Sequence, residues 1–169
     1  AAALQPLGHP ARGGGLRVHA RDEGRGDAPV LVLLHGSNAS LQTWEPWVER
    51  LGTKYRVISL DQIGHGLTGP NPSDDYSPAA FVETLDRTLA KLGVDHFALA
   101  GNSMGGAVAW RYALAHPEKV DALILVDASG APRNASASMP VGFRIARTPL
   151  VRRLAQVITR HAVGGVAVR

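Results

Sequence analysis

The residues best placed to do chemistry cluster around Ser103. Gly101-Asn102-Ser103-Met104-Gly105-Gly106 stands between an apolar run, Phe97 to Ala100, and a helical pattern that extends to Ala115. A serine in G-x-S-x-G at a strand-to-helix turn is set up for nucleophilic attack. The glycines let the turn close without side-chain collisions, and the helix N-terminus offers oriented N–H groups to a developing negative charge. A plainer reading also fits, in which Ser103 only caps the following helix. A serine hydroxyl is inert at neutral pH unless a histidine takes its proton and a carboxylate orients that histidine, so both have to be sought elsewhere.

The elements that must hold such a turn are legible in the apolar pattern. Leu16 to Ala20 reads as a short strand followed by a turn through Gly24, Arg25 and Gly26. Val30 to Leu34, Arg56 to Leu60, Phe97 to Ala100 and Val120 to Val126 are unbroken or nearly unbroken apolar runs, the mark of strands covered on both faces. Helical patterns lie between them: Thr43 to Leu51, Ser77-Pro78 to about Leu92 with Gly93 as its stop, and Ser103 to Ala115 ahead of His116-Pro117. The alternation predicts an α/β chain with a mostly parallel sheet and helices on both faces. Residues 1–15 read as an extended or poorly ordered lead-in, residues 16–131 as the core, and residues 132–169 as a tail.

Two further loops follow predicted strands. His35-Gly36-Ser37-Asn38 comes after Val30 to Leu34, and Asp61-Gln62-Ile63-Gly64-His65-Gly66, a D-x-x-G-x-G pattern, after Arg56 to Leu60. With these motifs in this order, the chain resembles the α/β-hydrolase superfamily over residues 16–131. The resemblance implies Ser103 as the nucleophile, with the N–H of Met104 and that of Ser37, or alternatively Asn38, forming an oxyanion hole. It implies that His35 holds its loop rather than acting as a base, and that Asp61 and His65 shape theirs. The implied reaction is hydrolysis of a small carboxylic ester through an acyl-enzyme, with no cofactor and no metal. Asn102 beside Ser103, with Gly105-Gly106 after it, is also similar to the elbow of C–C bond hydrolases that cleave ring-fission products, which makes Asn102 a candidate binding residue. Serine rather than aspartate at the elbow argues against the dehalogenases and epoxide hydrolases, which use a carboxylate.

The family order is serine, acid, histidine, and the second half of that order is where the resemblance thins. Asp127 matches a position, at the end of the strand Val120 to Val126, from which some members draw the acid; a carboxylate bonding local loop N–H groups is the alternative. After Ser103 the only histidines are His116, in the helix-ending Ala115-His116-Pro117-Glu118, and His161. His161 is therefore carried as the candidate base. Without a working base the chain would be a catalytically incomplete scaffold with no turnover. The resemblance further implies a sheet truncated before its last strands, which leaves the Val120–Val126 edge to be covered by the tail, by a second copy in a homo-oligomer, or by a missing C-terminal portion.

Composition narrows the classes. The chain has 169 residues, enough for one domain, and no cysteine, which excludes a disulfide framework, a thiol nucleophile and a Cys-containing zinc site. Residues 1–131 hold 11 basic and 14 acidic side chains, whereas residues 132–169 hold seven Arg, no Lys and no acid. The positive net charge thus belongs to the tail, and the body gives no electrostatic reason to bind nucleic acid. Pro149 to Arg160 can form an amphipathic helix, and Phe143 to Ile158 fits the opening of a helical cap; contact with a membrane surface through the arginines is the second reading. Gly64, Gly66 and Gly69 spell G-x-G-x-x-G, but Pro70-Asn71-Pro72 follows where a dinucleotide site needs a helix. The sequon Asn38-Ala39-Ser40 falls in the expected oxyanion loop, and Asn134-Ala135-Ser136 lies in the tail. A cytoplasmic location is the expectation adopted.

Overall fold

The computed structural model describes residues 2–7 and 15–130. Six strands form one sheet: β1 (Ala2–Leu7), β2 (Leu16–Gly24), β3 (Val30–Leu34), β4 (Arg56–Leu60), β5 (Phe97–Asn102) and β6 (Val120–Val126), in the order β1-β2-β4-β3-β5-β6. The pairs β4/β3, β3/β5 and β5/β6 are parallel, and β1 and β2 add an antiparallel flank. Two sequence expectations change here. Part of the lead-in is ordered as β1, paired along its length with β2, and β2 runs on past Ala20 to pair Gly24 with Arg56.

The helices are α1 (Glu45–Leu51), α2 (Pro78–Lys91) and α3 (Met104–Ala115). Local chemistry fixes α2 as expected: Ser77 Oγ accepts from Ala80 N–H at 3.3 Å, Pro78 supplies the first turn, and Gly93 follows the end at φ 66°. The segment expected as one helix from Thr43 begins instead as a 3-10 turn, Leu41–Trp44, and becomes α-helical only at Glu45, with a proline in its first turn.

Alternation along the central strands sorts their side chains onto two faces. Val32, Leu34, Ile58 and Leu60 pack with Leu85 and Leu89 of α2 and Val108 and Tyr112 of α3. Leu31, Leu33 and Val57 pack on the other face with Trp44, Trp47 and Val48. Fully burying one such leucine contributes about 1.5–3 kcal/mol, so the two layers fix the register of β3 and β4.

β6 differs from the other parallel strands. Leu123, Ile124 and Leu125 are 39, 38 and 47% exposed, and β5 is its single strand neighbour among the described residues. Ala1–Ala131 is one compact unit. The expected tail helix Pro149–Arg160, the cap segment Phe143–Ile158, and His161 lie outside the described residues. Among the described residues no helix is long and apolar enough to cross a membrane.

Candidate active site

Because β4, β3, β5 and β6 are parallel, the loops after them emerge from one edge of the sheet, the usual place for ligands in such folds. Register puts Leu34 opposite Gly101, and Asn102 opposite Val126. The loops starting at His35, Ser103 and Asp127 are therefore neighbours.

Ser103 sits between β5 and α3 with φ 49° and ψ −113°, a backbone conformation L-residues rarely adopt. It is held there from several sides. Ser103 N–H donates to Val126 O at 3.0 Å, and Ser103 O accepts from Ala107 N–H at 3.1 Å and Ser129 N–H at 3.0 Å. The Ser129 hydroxyl adds a bond to the same carbonyl at 3.1 Å. Glycines leave room for the turn: a Cβ on Gly101 would run into the Gly105 carbonyl, and one on Gly105 into the Leu34 carbonyl. The Ser103 side chain makes no cap hydrogen bond to α3, so the capping role open to it in sequence is not the one it plays.

Met104 is the first residue of α3, so its N–H has no acceptor within the helix. Facing the elbow is the turn after β3, where Ser37 and Asn38 are exposed and Asn38 is at φ 56°. The approach is close: a Cβ on Gly36 would lie 2.9 Å from Asn102 Oδ1 and 3.3 Å from Ser103 Cβ. Asn102 Nδ2 donates to Val126 O at 3.2 Å, so this side chain bridges β6 and the Gly36 loop.

Hydrogen bonding fixes the state of His35. Its Nδ1 lies 2.7 Å from Gly36 O, a carbonyl that can only accept, so Nδ1 carries the proton. Its Nε2 accepts from Gln62 N–H at 3.0 Å. Both ring nitrogens are thus engaged, and the ring is fully buried. Burial, helped by the neighbouring His65, holds the His35 pKa below its ordinary value against the Gly36 hydrogen bond and the Asp61 charge. A neutral ring with no free nitrogen clamps the loop and cannot take a proton from Ser103.

Asp61, 2% exposed, ties three segments together: Oδ1 accepts from Leu41 N–H at 2.8 Å, and Oδ2 from Leu67 N–H at 2.8 Å and from the His19 ring at 2.8 Å. Burial alone would raise its pKa, but the two backbone N–H groups and His19 outweigh that and hold the carboxyl below the usual range. His65 bonds Ile63 O at 2.9 Å within its own loop. The G-x-G-x-x-G stretch runs through turns, with no helix before Pro78.

Asp127, the first residue after β6, has φ 46° and is the chain neighbour of Val126, whose carbonyl holds Ser103. Among the described residues no histidine is hydrogen-bonded to Ser103 or paired with Asp127: His19 pairs with Asp61, His96 with Asp121 and His116 with Glu118. No group of three or more metal-binding side chains occurs among them. Two contributors were not legible in sequence, Ser129 bracing the elbow and Gln62 holding the His35 loop, because both act through contacts between loops distant in the chain.

A family model described as alpha/beta hydrolase fold matches residues 29–152. An uncharacterized protein of Mycobacterium tuberculosis is 34% identical over 143 residues, covering 80% of this chain and 42% of that protein. Among solved structures, a membrane phospholipase A described as a bacterial virulence factor matches with a TM-score of 0.74 at 27% identity, over 90% of this chain and 50% of its own. The meta-cleavage product hydrolase CumD of Pseudomonas fluorescens matches with a TM-score of 0.66 at 28% identity, over 71% of this chain and 44% of its own. The chain thus spans about half or less of the length of each of these proteins.

Proposed function

Since the chain belongs to the α/β-hydrolase fold family, we propose that it is a serine hydrolase acting on small carboxylic esters through an acyl-enzyme on Ser103. The observation that carries this reading is the strained backbone of Ser103, φ 49° and ψ −113°, pinned between β5 and α3 with the Gly36 loop against it. Strain of this kind persists only where surrounding bonds over-determine it, and it clusters where function needs a side chain presented clear of its own helix.

In this mechanism the Ser103 hydroxyl attacks the ester carbonyl, and its proton passes to a base. The carbonyl oxygen becomes an oxyanion held by Met104 N–H and by the N–H of Ser37, with Asn38 as the alternative donor. Collapse expels the alcohol and leaves an acyl group on Ser103, which water then removes. Asp127 is the proposed acid, by its position at the end of β6 beside the elbow's own anchor, and His161 the proposed base. Electrostatic support is modest in number and local: two N–H donors at a preformed site can each be worth about 10²–10³ in rate.

A second reading is hydrolysis of a C–C bond in a ring-fission product. It is favoured by the likeness to CumD and by Asn102, which touches both the Gly36 loop and β6 next to Ser103. The two readings are separated by offering the chain p-nitrophenyl acetate and a yellow 2-hydroxy-6-oxodienoate, each with Ser103→Ala as control. Release of p-nitrophenol that disappears in Ser103→Ala supports the esterase; bleaching of the dienoate without ester turnover supports the alternative. A folded chain that does neither is an incomplete scaffold.

A further inference from the structure

The Gln62 side chain has one end of its amide paired and the other unpaired among the described residues. Its Nε2 donates to His35 O at 2.6 Å, while its own backbone N–H donates to His35 Nε2 at 3.0 Å. Its Oε1 is buried and has no hydrogen-bond partner among the described residues, and the residue is 2% exposed. The amide cannot be turned round to relieve this, since Oε1 would then face the His35 carbonyl, two acceptors together. Around it lies a cavity of about 10 Å³ with mainly apolar walls, including Leu34, Leu60, Phe81 and Val108. Native proteins rarely bury an unsatisfied carbonyl, and where they do the group calls for a reason.

The reason lies in what the donated bond fixes. His35 O belongs to the His35–Gly36 peptide, and His35 Nδ1–H holds the carbonyl of the next peptide, Gly36 O, at 2.7 Å. In a trans peptide the N–H points opposite to its carbonyl, so holding Gly36 O sets the direction of Ser37 N–H. Gln62 therefore locks one peptide through its side chain and the histidine that locks the next through its backbone. We propose that Gln62 is a positioning residue for the oxyanion loop: its side-chain amide fixes the His35–Gly36 peptide, the hinge from which the next peptide presents the Ser37 N–H to the substrate oxygen. This rests on the proposed role of Ser103, and deepens it by naming the group that sets the second donor.

The test is Gln62→Met in the full chain, read three ways. The thermal midpoint should change little, because the unpaired Oε1 is removed while the buried His35 carbonyl loses its donor. Backbone ¹⁵N order parameters of Gly36 and Ser37 should fall relative to wild type, a result that does not depend on catalysis. The rate of Ser103 phosphonylation by a fluorophosphonate should drop about 10- to 100-fold, as expected when a donor loosens by a fraction of an ångström to an ångström; with an ester substrate the loss should fall on kcat rather than KM. Unchanged order parameters in Gln62→Met overturn the proposal, as does a lowered midpoint with an unchanged phosphonylation rate, which would mark Gln62 as ordinary support. If wild type itself is not phosphonylated, the role of Ser103 fails while the relaxation data still decide whether Gln62 holds the loop.

Discussion

Replacing Ser103 by glycine should stabilise the protein relative to replacing it by alanine. At φ 49° and ψ −113° a residue with a Cβ is strained by about 1–3 kcal/mol, and alanine keeps that strain while losing the hydroxyl. Glycine removes it, at a cost of roughly 0.5–1 kcal/mol for the extra freedom it gives the unfolded chain. Taking the middle of each range, the net gain of Ser103→Gly over Ser103→Ala is about 1.2 kcal/mol, or about 2–5 °C in Tm for a chain of this size. Since neither variant has a nucleophile, the comparison isolates backbone strain from chemistry. Urea unfolding followed by the fluorescence of Trp44, Trp47 and Trp110 reads it directly. If Ser103→Gly is no more stable than Ser103→Ala, the elbow stores no strain and the main argument for Ser103 as a presented nucleophile falls.

Three other outcomes follow from the loops that surround the elbow. Asp61→Ala strands the buried N–H of Leu41, the part-buried N–H of Leu67 and the His19 ring, and should cost about 3–5 kcal/mol in urea unfolding. Because the folded pKa of Asp61 is depressed, its contribution is present above the unfolded value near ~3.9 and is lost as pH falls through the folded pKa, so wild type should show an acid-side loss that Asp61→Ala lacks. For His35 the folded pKa is also depressed, so the stability of its neutral form is complete above about pH 6.5 and declines on acidification as the unfolded chain takes up the proton first. An NMR titration should find the His35 ring titrating below its ordinary value near 6.5, and a midpoint at or above that value would contradict the clamp. Gly105→Ala drives a methyl group against the Leu34 carbonyl and should cost about 1–3 kcal/mol despite the better helix propensity of alanine. Equal stability to wild type would show that the elbow has slack.

The motifs were readable because each depends on residues adjacent in sequence. Gly101 to Gly106 announces a tight strand-to-helix turn, Ser77-Pro78 a helix start, and the runs Val30 to Leu34 and Arg56 to Leu60 strands covered on both faces. The structure has each of these, and helices do lie on both faces of the sheet. What sequence could not supply were bonds between loops: Asp61 reaching Leu41, Leu67 and His19, Ser129 reaching Ser103, and Gln62 reaching His35. No periodicity encodes such contacts, because they depend on which strand ends meet. β1 carries no clear strand signal of its own for a related reason. Ala2–Leu7 lacks the β-branched residues that mark a strand, and it pairs because β2 offers it an edge.

The most direct measurement is to treat the folded chain with a fluorophosphonate and locate the adduct by tandem mass spectrometry, alongside Ser103→Ala. The expected result is a single adduct on Ser103 in wild type, absent from the variant and absent after urea unfolding. Labelling that is missing from Ser103, or spread over other serines at the same rate in wild type and variant, would contradict the assignment of Ser103 as the nucleophile.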